Sequence, residues 1–353
     1  METRVAYLDV GEITMETVEL PELGPNDVLI DTQQASVCGS ERYFYRGITV
    51  REEDEARGRP TEGGEYHGGE GRRHSYPMGP LGHEGGGTIE AVGSAVDEYL
   101  GGGAVSVGDR VGSLYYPTYT DSWVTDVSNV QPIPDGVDFE VGCLYEALAC
   151  AAWAARRMDV KLGDTVAVNG VGFAGNIMLQ GAIESGASQV IAVDVVDEKL
   201  SIAEEMGADV TIDASEEDPV ERVDELTDDE GVDVAVEAVG GTGIGIKQAL
   251  GMVAHNGVLA LYGDNYEPIE EFCFHRFHED GLEVQNLNAM HYTELQAVEY
   301  AREAYRAVER DVFDVQTILD NSARYSLDEL PSVFEGETEC ADEQESLKTL
   351  IIP

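Results

Sequence analysis

Three short stretches of this chain carry groups that could do chemistry together. Cys38-Gly39-Ser40 and Gly82-His83-Glu84 offer a thiolate, an imidazole and a carboxylate, soft and borderline donors suited to a Lewis-acid metal. Gly170-Val171-Gly172-Phe173-Ala174-Gly175, with Asp194 downstream, has the spacing of a turn that cradles a dinucleotide. A metal beside a nicotinamide ring is equipment for moving hydride between an alcohol and a carbonyl. Singly, a cysteine, a surface His-Glu pair or a glycine turn is usually structural. The combination is much more specific.

Each part of the turn has a mechanical task. Gly170 permits the tight bend, Gly172 lets a pyrophosphate approach the backbone, and Gly175 lets helix and strand pack closely. The helix opening at Phe173 and Ala174 turns its free N–H groups toward the phosphates. Asp194 is placed to accept from ribose hydroxyls and to repel a 2′-phosphate, which favours NAD over NADP. Lys199, five residues on, is expected to reach the same ribose or its phosphate side. Glu146 lies in the apolar run Tyr145-Glu146-Ala147-Leu148-Ala149, where an acid needs a partner. A metal is one such partner; Arg156 or Arg157 is the other.

Elements must position these groups. Residues 1–145 read as β-rich, with runs such as Val28-Leu29-Ile30-Asp31 and Arg110 to Leu114 between Gly, Pro and Asp turns. From about 163 to 290 strands alternate with helices. Thr165–Val168, Val190–Asp194, Val232–Val236 and Val258–Tyr262 are the strands, and Lys199–Met206 is one of the helices. That rhythm predicts an α/β unit with a parallel sheet covered on both faces. A helix over Leu295–Val308 and a closing apolar run at Leu350-Ile351-Ile352 follow. Segment 51–79 is rich in Gly and Glu and poor in aliphatics, so it reads as a long loop, either a surface insertion or a lid over a cleft.

The 353 residues suit two domains. Asp and Glu number 70 against 21 Lys and Arg, a formal net charge of −49, and the lysines are only Lys161, Lys199, Lys247 and Lys348. The acids are spread along the chain, which predicts a solvated surface adapted to concentrated salt. Nucleic-acid binding is disfavoured, since no basic patch exists to neutralise phosphates. Five cysteines with no C-x-x-C pair are not a disulfide framework; Cys273 and Cys340 read as structural. The opening residues lack a basic segment followed by an apolar run, and no run approaches the roughly 18 apolar residues of a membrane span. A cytoplasmic protein with no membrane partner is the expectation.

Gly82-His83-Glu84, followed by Gly87, Gly93 and Val96, reproduces the spacing of the zinc alcohol dehydrogenase signature. Val107-Gly108-Asp109-Arg110-Val111, Ile133-Pro134-Asp135-Gly136-Val137 and Gly231–Gly240 resemble further stretches of that family. The whole chain thus resembles a medium-chain dehydrogenase, on the sorbitol and threonine dehydrogenase branch. The resemblance implies a GroES-like β-barrel catalytic domain, residues 1–147 and 291–353, around a Rossmann doubly wound domain, residues 148–290. It implies zinc on Cys38, His83 and Glu146, with Glu84 a second carboxylate able to bind or release the metal. Ser40 would hydrogen-bond the substrate oxygen and start the proton relay. Tyr43 stands where relatives often carry the relay histidine, and Glu41 where they often carry Asp. The four-cysteine structural zinc lobe is absent between Val111 and Trp123, so one zinc per subunit is expected.

The expected reaction is transfer of hydride from a polyol, sugar or other secondary alcohol to NAD, by a homo-oligomer of two or four subunits. Tyr43, Phe44, Tyr45, Tyr116 and Asn288-Ala289-Met290-His291 are candidates to line the substrate pocket. The rivals are a zinc-free reductase of quinones or activated double bonds on the same fold, and a cofactor-binding sensor without catalysis.

Overall fold

The computed structural model describes residues 1–46, 77–114, 116–241, 243–265, 275–287, 294–335 and 346–353. Most of the 51–79 segment, Asn288 to His291, Cys273 and Cys340 lie outside the described residues.

The chain opens with a hairpin, β1 (Glu2–Asp9) and β2 (Glu12–Glu19). Then come β3 (Asp27–Ser36), the short helix α1 (Gly39–Tyr45), β4 (Glu84–Val92), β5 (Arg110–Ser113), β6 (Ser122–Asp126) and β7 (Val130–Pro132). Helix α2 (Tyr145–Arg157) leads into the alternating part. This runs β8 (Thr165–Asn169), α3 (Phe173–Glu184), β9 (Gln189–Asp194), α4 (Asp197–Glu205), β10 (Val210–Asp213), α5 (Pro219–Leu226), β11 (Val232–Glu237), α6 (Ile244–Met252), β12 (Val253–Leu261) and β13 (Glu283–Asn286). Helix α7 (Glu294–Val308), β14 (Ala323–Ser326) and β15 (Thr349–Ile352) complete it.

The alternating part forms a six-stranded, all-parallel sheet in the order β10-β9-β8-β11-β12-β13. Val166, Ala167 and Val168 of β8 are all fully buried, as a strand covered by helices on both faces requires. The order reverses between β8 and β11. Such a reversal opens a crevice at the carboxyl ends of the strands, and the glycine turn leaves β8 there.

The remaining strands come from both ends of the chain. A seven-stranded sheet runs β14-β15-β3-β4-β5-β7, with β6 also paired to β3. Along β3 the side chains of Val28, Ile30 and Thr32 turn inward at every second residue; nearer Cys38, Gln34, Ala35 and Ser36 are all buried. There β3 lies between two partners. Ser36 pairs with Glu84 of β4 on one side and Leu350 of β15 on the other. That register alone sets Cys38, His83 and Lys348 side by side. One hydrophobic core continues across the parts, from Tyr145 and Leu148 of α2 through Ile177 and Met178 of α3 to Ala301 of α7 and Leu350. Among the described residues no helix is long and apolar enough to cross a membrane.

Candidate active site

Cys38 caps α1 in an extended conformation, just past β3. His83 and Glu84 stand where β4 begins. One donor atom from each of Cys38, His83 and Glu84 lies within 4.8 Å of the other two. The Ser40 hydroxyl donates to the Cys38 sulfur at 3.3 Å.

Neighbouring polar groups fix these donors. Glu41 accepts the backbone N–H of Cys38 at 3.3 Å and the hydroxyl of Tyr119, and its other oxygen lies 3.1 Å from His83 Nδ1. A carboxylate on one ring nitrogen orients an imidazole and leaves the other nitrogen for a metal. Burial works against a charged His83, but the Cys38 thiolate and the Glu41 carboxylate outweigh it and hold the imidazole pKa well above its usual value. Glu84 is 2% exposed. Burial pushes its carboxyl up, yet Lys348, His83 and Ser36 together bring it below the ordinary range. Lys348 Nζ is 2.5 Å from Glu84 Oε2, to which Ser36 also donates. Lys348 is itself 8% exposed. Burial disfavours its charge, but Glu84, Cys38 and Glu146 more than restore it. Its ammonium also sits 5.0 Å above the ring of Phe173, the first residue of α3. One lysine therefore links the donor cluster to the nucleotide turn.

Glu146 is not among the three converging donors. Its Oε1 accepts from the Cys150 thiol, one helical turn along α2, at 3.1 Å. Burial raises its pKa; His83 opposes that and Glu84 adds to it, so Glu146 stays within electrostatic reach of the cluster. Neither arginine proposed as its partner takes that role: Arg156 pairs with Glu303 at 2.8 Å, and Arg157 lies over Trp153. Tyr262 sees the same field, its pKa raised by burial and by Cys150, Glu146, Cys38 and Glu84. A thiolate, an imidazole and crowded carboxylates with one lysine make a site that wants more positive charge. A zinc ion fits that donor set, both in ligand type and in number.

The aromatic candidates divide. Tyr45 packs on Phe334 with ring centroids 5.5 Å apart, and Tyr116 lies in the core with Val28, Ile30 and Ile89; both are core residues, not pocket walls. The Tyr43 hydroxyl instead lies against Gly240 and Gly241, beyond β11, at the seam between the two parts.

At the nucleotide turn, a Cβ on Gly175 would come within 2.0 Å of the Gly170 carbonyl oxygen, so only glycine fits there. Gly172 faces open space, with nothing within 4 Å of where its Cβ would be, as close approach of a ligand to the backbone requires. Ala174 packs on the shared core. Asp194 ends β9 and is largely buried. One of its oxygens accepts the Val171 N–H at 3.0 Å, and the other accepts from Val195 and Val196. Lys199 Nζ is 3.8 Å from that second oxygen. Asp194 thus braces the turn.

Lys348 and Cys150 escaped the sequence reading. Both had a signal: a rare lysine directly ahead of an apolar strand run, and a cysteine four residues after a buried glutamate on one helix face.

Two family models match the chain: alcohol dehydrogenase GroES-like domain over residues 24–155, and zinc-binding dehydrogenase over residues 174–303. Sorbitol dehydrogenase of Bacillus subtilis is 29% identical over 278 residues, covering 71% of this chain and 72% of its own. Sorbitol dehydrogenase of Rattus norvegicus is 31% identical over 232 residues, 59% of each chain. The same fold is found in the crystal structure of 2R,3R-butanediol dehydrogenase from Bacillus subtilis, with TM-score 0.77 and 23% identity over 99% of both chains.

Proposed function

The chain belongs to the zinc-dependent medium-chain dehydrogenases, and from that premise we propose that it interconverts an alcohol and its carbonyl compound with NAD. A polyol, sugar or other secondary alcohol is the substrate class. The sorbitol dehydrogenases among its relatives support that choice. The observation that carries the reading is the convergence of the Cys38, His83 and Glu84 donor atoms within 4.8 Å.

When bound, zinc would supply Lewis acidity toward the substrate oxygen and nicotinamide the hydride acceptor. Cys38, His83 and a carboxylate would hold the metal, and Glu41 keeps the His83 ring turned for it. Two carboxylates compete for the third place. Glu84 is free to ligate when it leaves Lys348, and Glu146 when it leaves Cys150. Ser40, resting on the Cys38 sulfur, takes the hydroxyl proton of the alcohol and passes it outward. Tyr43, one turn further along α1, offers the next hydroxyl at the seam. Gly172, Phe173, Ala174 and Gly175 hold the pyrophosphate with backbone N–H groups, Gly170, its own N–H given to Val193, makes the bend that presents them, and Asp194 with Lys199 beside it favours the unphosphorylated ribose.

Assembly into a dimer or tetramer belongs to the same reading. β13 is an open edge of the six-stranded sheet among the described residues, with Val284 48% exposed, and natural proteins cover such edges.

The test is a panel of alcohols, polyols and sugars with NAD in molar KCl, followed at about 340 nm where reduced nicotinamide absorbs. Turnover of secondary alcohols with stoichiometric zinc is the expected result. Turnover of quinones or enones by zinc-free protein would replace this reading with the metal-free reductase, and dinucleotide binding without any turnover would leave a sensor.

A further inference from the structure

We infer that Asn176 is a positioning residue for the pyrophosphate of the cofactor: its side chain locks the carbonyls of Val171 and Gly172 inward so that the turn shows only N–H groups to the phosphates. The inference rests on the dinucleotide reading of the glycine turn.

Asn176 lies in the first turn of α3 and is 0% exposed. Its Nδ2 donates to the Val171 carbonyl at 2.5 Å and to the Gly172 carbonyl at 3.2 Å. Its backbone N–H closes the first helical bond, to the same Gly172 carbonyl, at 2.9 Å. The Val171 N–H goes to Asp194 at 3.0 Å. Both ends of Val171 are therefore pinned, one by a carboxylate and one by a carboxamide. Rotating the peptide plane that follows Val171 or the one that follows Gly172 would bring its carbonyl oxygen toward a polyanion and turn the N–H of the next residue away from it.

Asparagine is a costly choice at this place. It is a weaker helix former than alanine or leucine, and its amide is buried. Its Oδ1 has no hydrogen-bond partner, so only the donor half of the amide is used. The reversed amide would set its oxygen against two carbonyl oxygens, which fixes the assignment. A residue that spends both its donors on the backbone of the glycine turn acts on the turn rather than on the helix or the core.

The experiment titrates ADP-ribose and adenosine into the zinc-loaded protein in molar KCl by calorimetry, with the wild type, Asn176→Leu and Asn176→Asp. ADP-ribose carries the pyrophosphate and adenosine does not. Leucine keeps the volume and loses both donors, so ADP-ribose should weaken about tenfold while adenosine stays within about twofold. Aspartate adds a negative charge under the turn and should weaken ADP-ribose further still, again sparing adenosine. Unchanged ADP-ribose affinity in both variants overturns the inference. So does an equal loss of both ligands, or failure of both variants to fold, since either marks a residue that only supports the fold. A wild type that binds adenosine and ADP-ribose equally well removes the dinucleotide reading itself, and zinc content and alcohol turnover then report separately on the metal site.

Discussion

The donor cluster and the nucleotide turn are built in opposite ways. The cluster is made of side chains from segments far apart in sequence, with Cys38, His83, Glu84 and Lys348 joined only by the register of β15, β3 and β4. The turn is made of backbone, its glycines and bracing side chains lying between Gly170 and Lys199, in the loop after β8, on α3, at the end of β9 and in the first turn of α4. A side-chain site fails when one donor is removed. A backbone site ignores most side-chain changes and fails when a Cβ is added or a peptide turns over. The two should therefore be separable by single substitutions.

Dilution of salt is the bluntest way to break the comparison, because it acts on the whole surface. The charge of −49 is screened over about 3 Å at 1 M salt and about 30 Å at 0.01 M. Zinc retention and dinucleotide binding should disappear together on dialysis from molar KCl, with the loss of tertiary circular dichroism. A melting temperature unchanged by dilution would refute the salt-adapted reading of the composition.

Single substitutions sharpen it. Cys38→Ala should abolish turnover and strip the zinc while NAD affinity changes less than about twofold, since the thiolate stands at the end of β3 and the glycine turn at the end of β8, in different sheets. Retained zinc, read by elemental analysis, would remove Cys38 from the ligand set. Gly175→Val is the mirror image. With no space beside the Gly170 carbonyl, it should cost about 1–3 kcal/mol of stability and lose NAD binding, while the zinc content of the folded protein stays at wild-type level.

Lys348→Met leaves Glu84 buried without its cation. In metal-free protein the loss should be about 3–5 kcal/mol, as for other buried pairs broken on one side, and zinc should recover part of it by taking up the carboxylate. Urea unfolding with and without chelator measures both numbers. Equal losses in the two states would mean that Glu84 never meets the metal. Glu41→Gln keeps the shape and drops the charge behind His83, so a chelator competition should show zinc held about 10–100-fold more weakly, with NAD affinity unchanged.

The same contrast explains what could be read from sequence. The parallel strands and the glycine turn were legible because their signals are local. Apolar runs such as Thr165–Val168 and Val190–Asp194, with glycines at fixed spacing, fall inside single units of the fold. Cys38, His83 and Glu84 were legible by ligand type. Lys348 was legible only as a rare lysine ahead of an apolar run; that β15 pairs with β3, and so brings it to Glu84, is a long-range contact that no local signal carries. Asp194 was read for the ribose, while its bond to the Val171 N–H appears only when β9 is seen beside β8. Tyr45 and Tyr116 misled for a related reason: an aromatic near a chemical residue in sequence can face away from it, into the core.

Lys348 also sets an order of events. Synthesis runs from the N-terminus, so β3, β4 and the whole parallel sheet are made before this lysine and the strand it leads into. Until β15 is added beside β3, Glu84 has no ammonium beside it and Lys348 cannot reach the ring of Phe173. A nascent chain can thus own a finished glycine turn while Glu84 still lacks the ammonium beside it and has only the His83 ring to offset its charge. The arrival of β15 brings Glu84, Lys348 and Phe173 together, so the donor cluster and the glycine turn are joined only once that strand is in place.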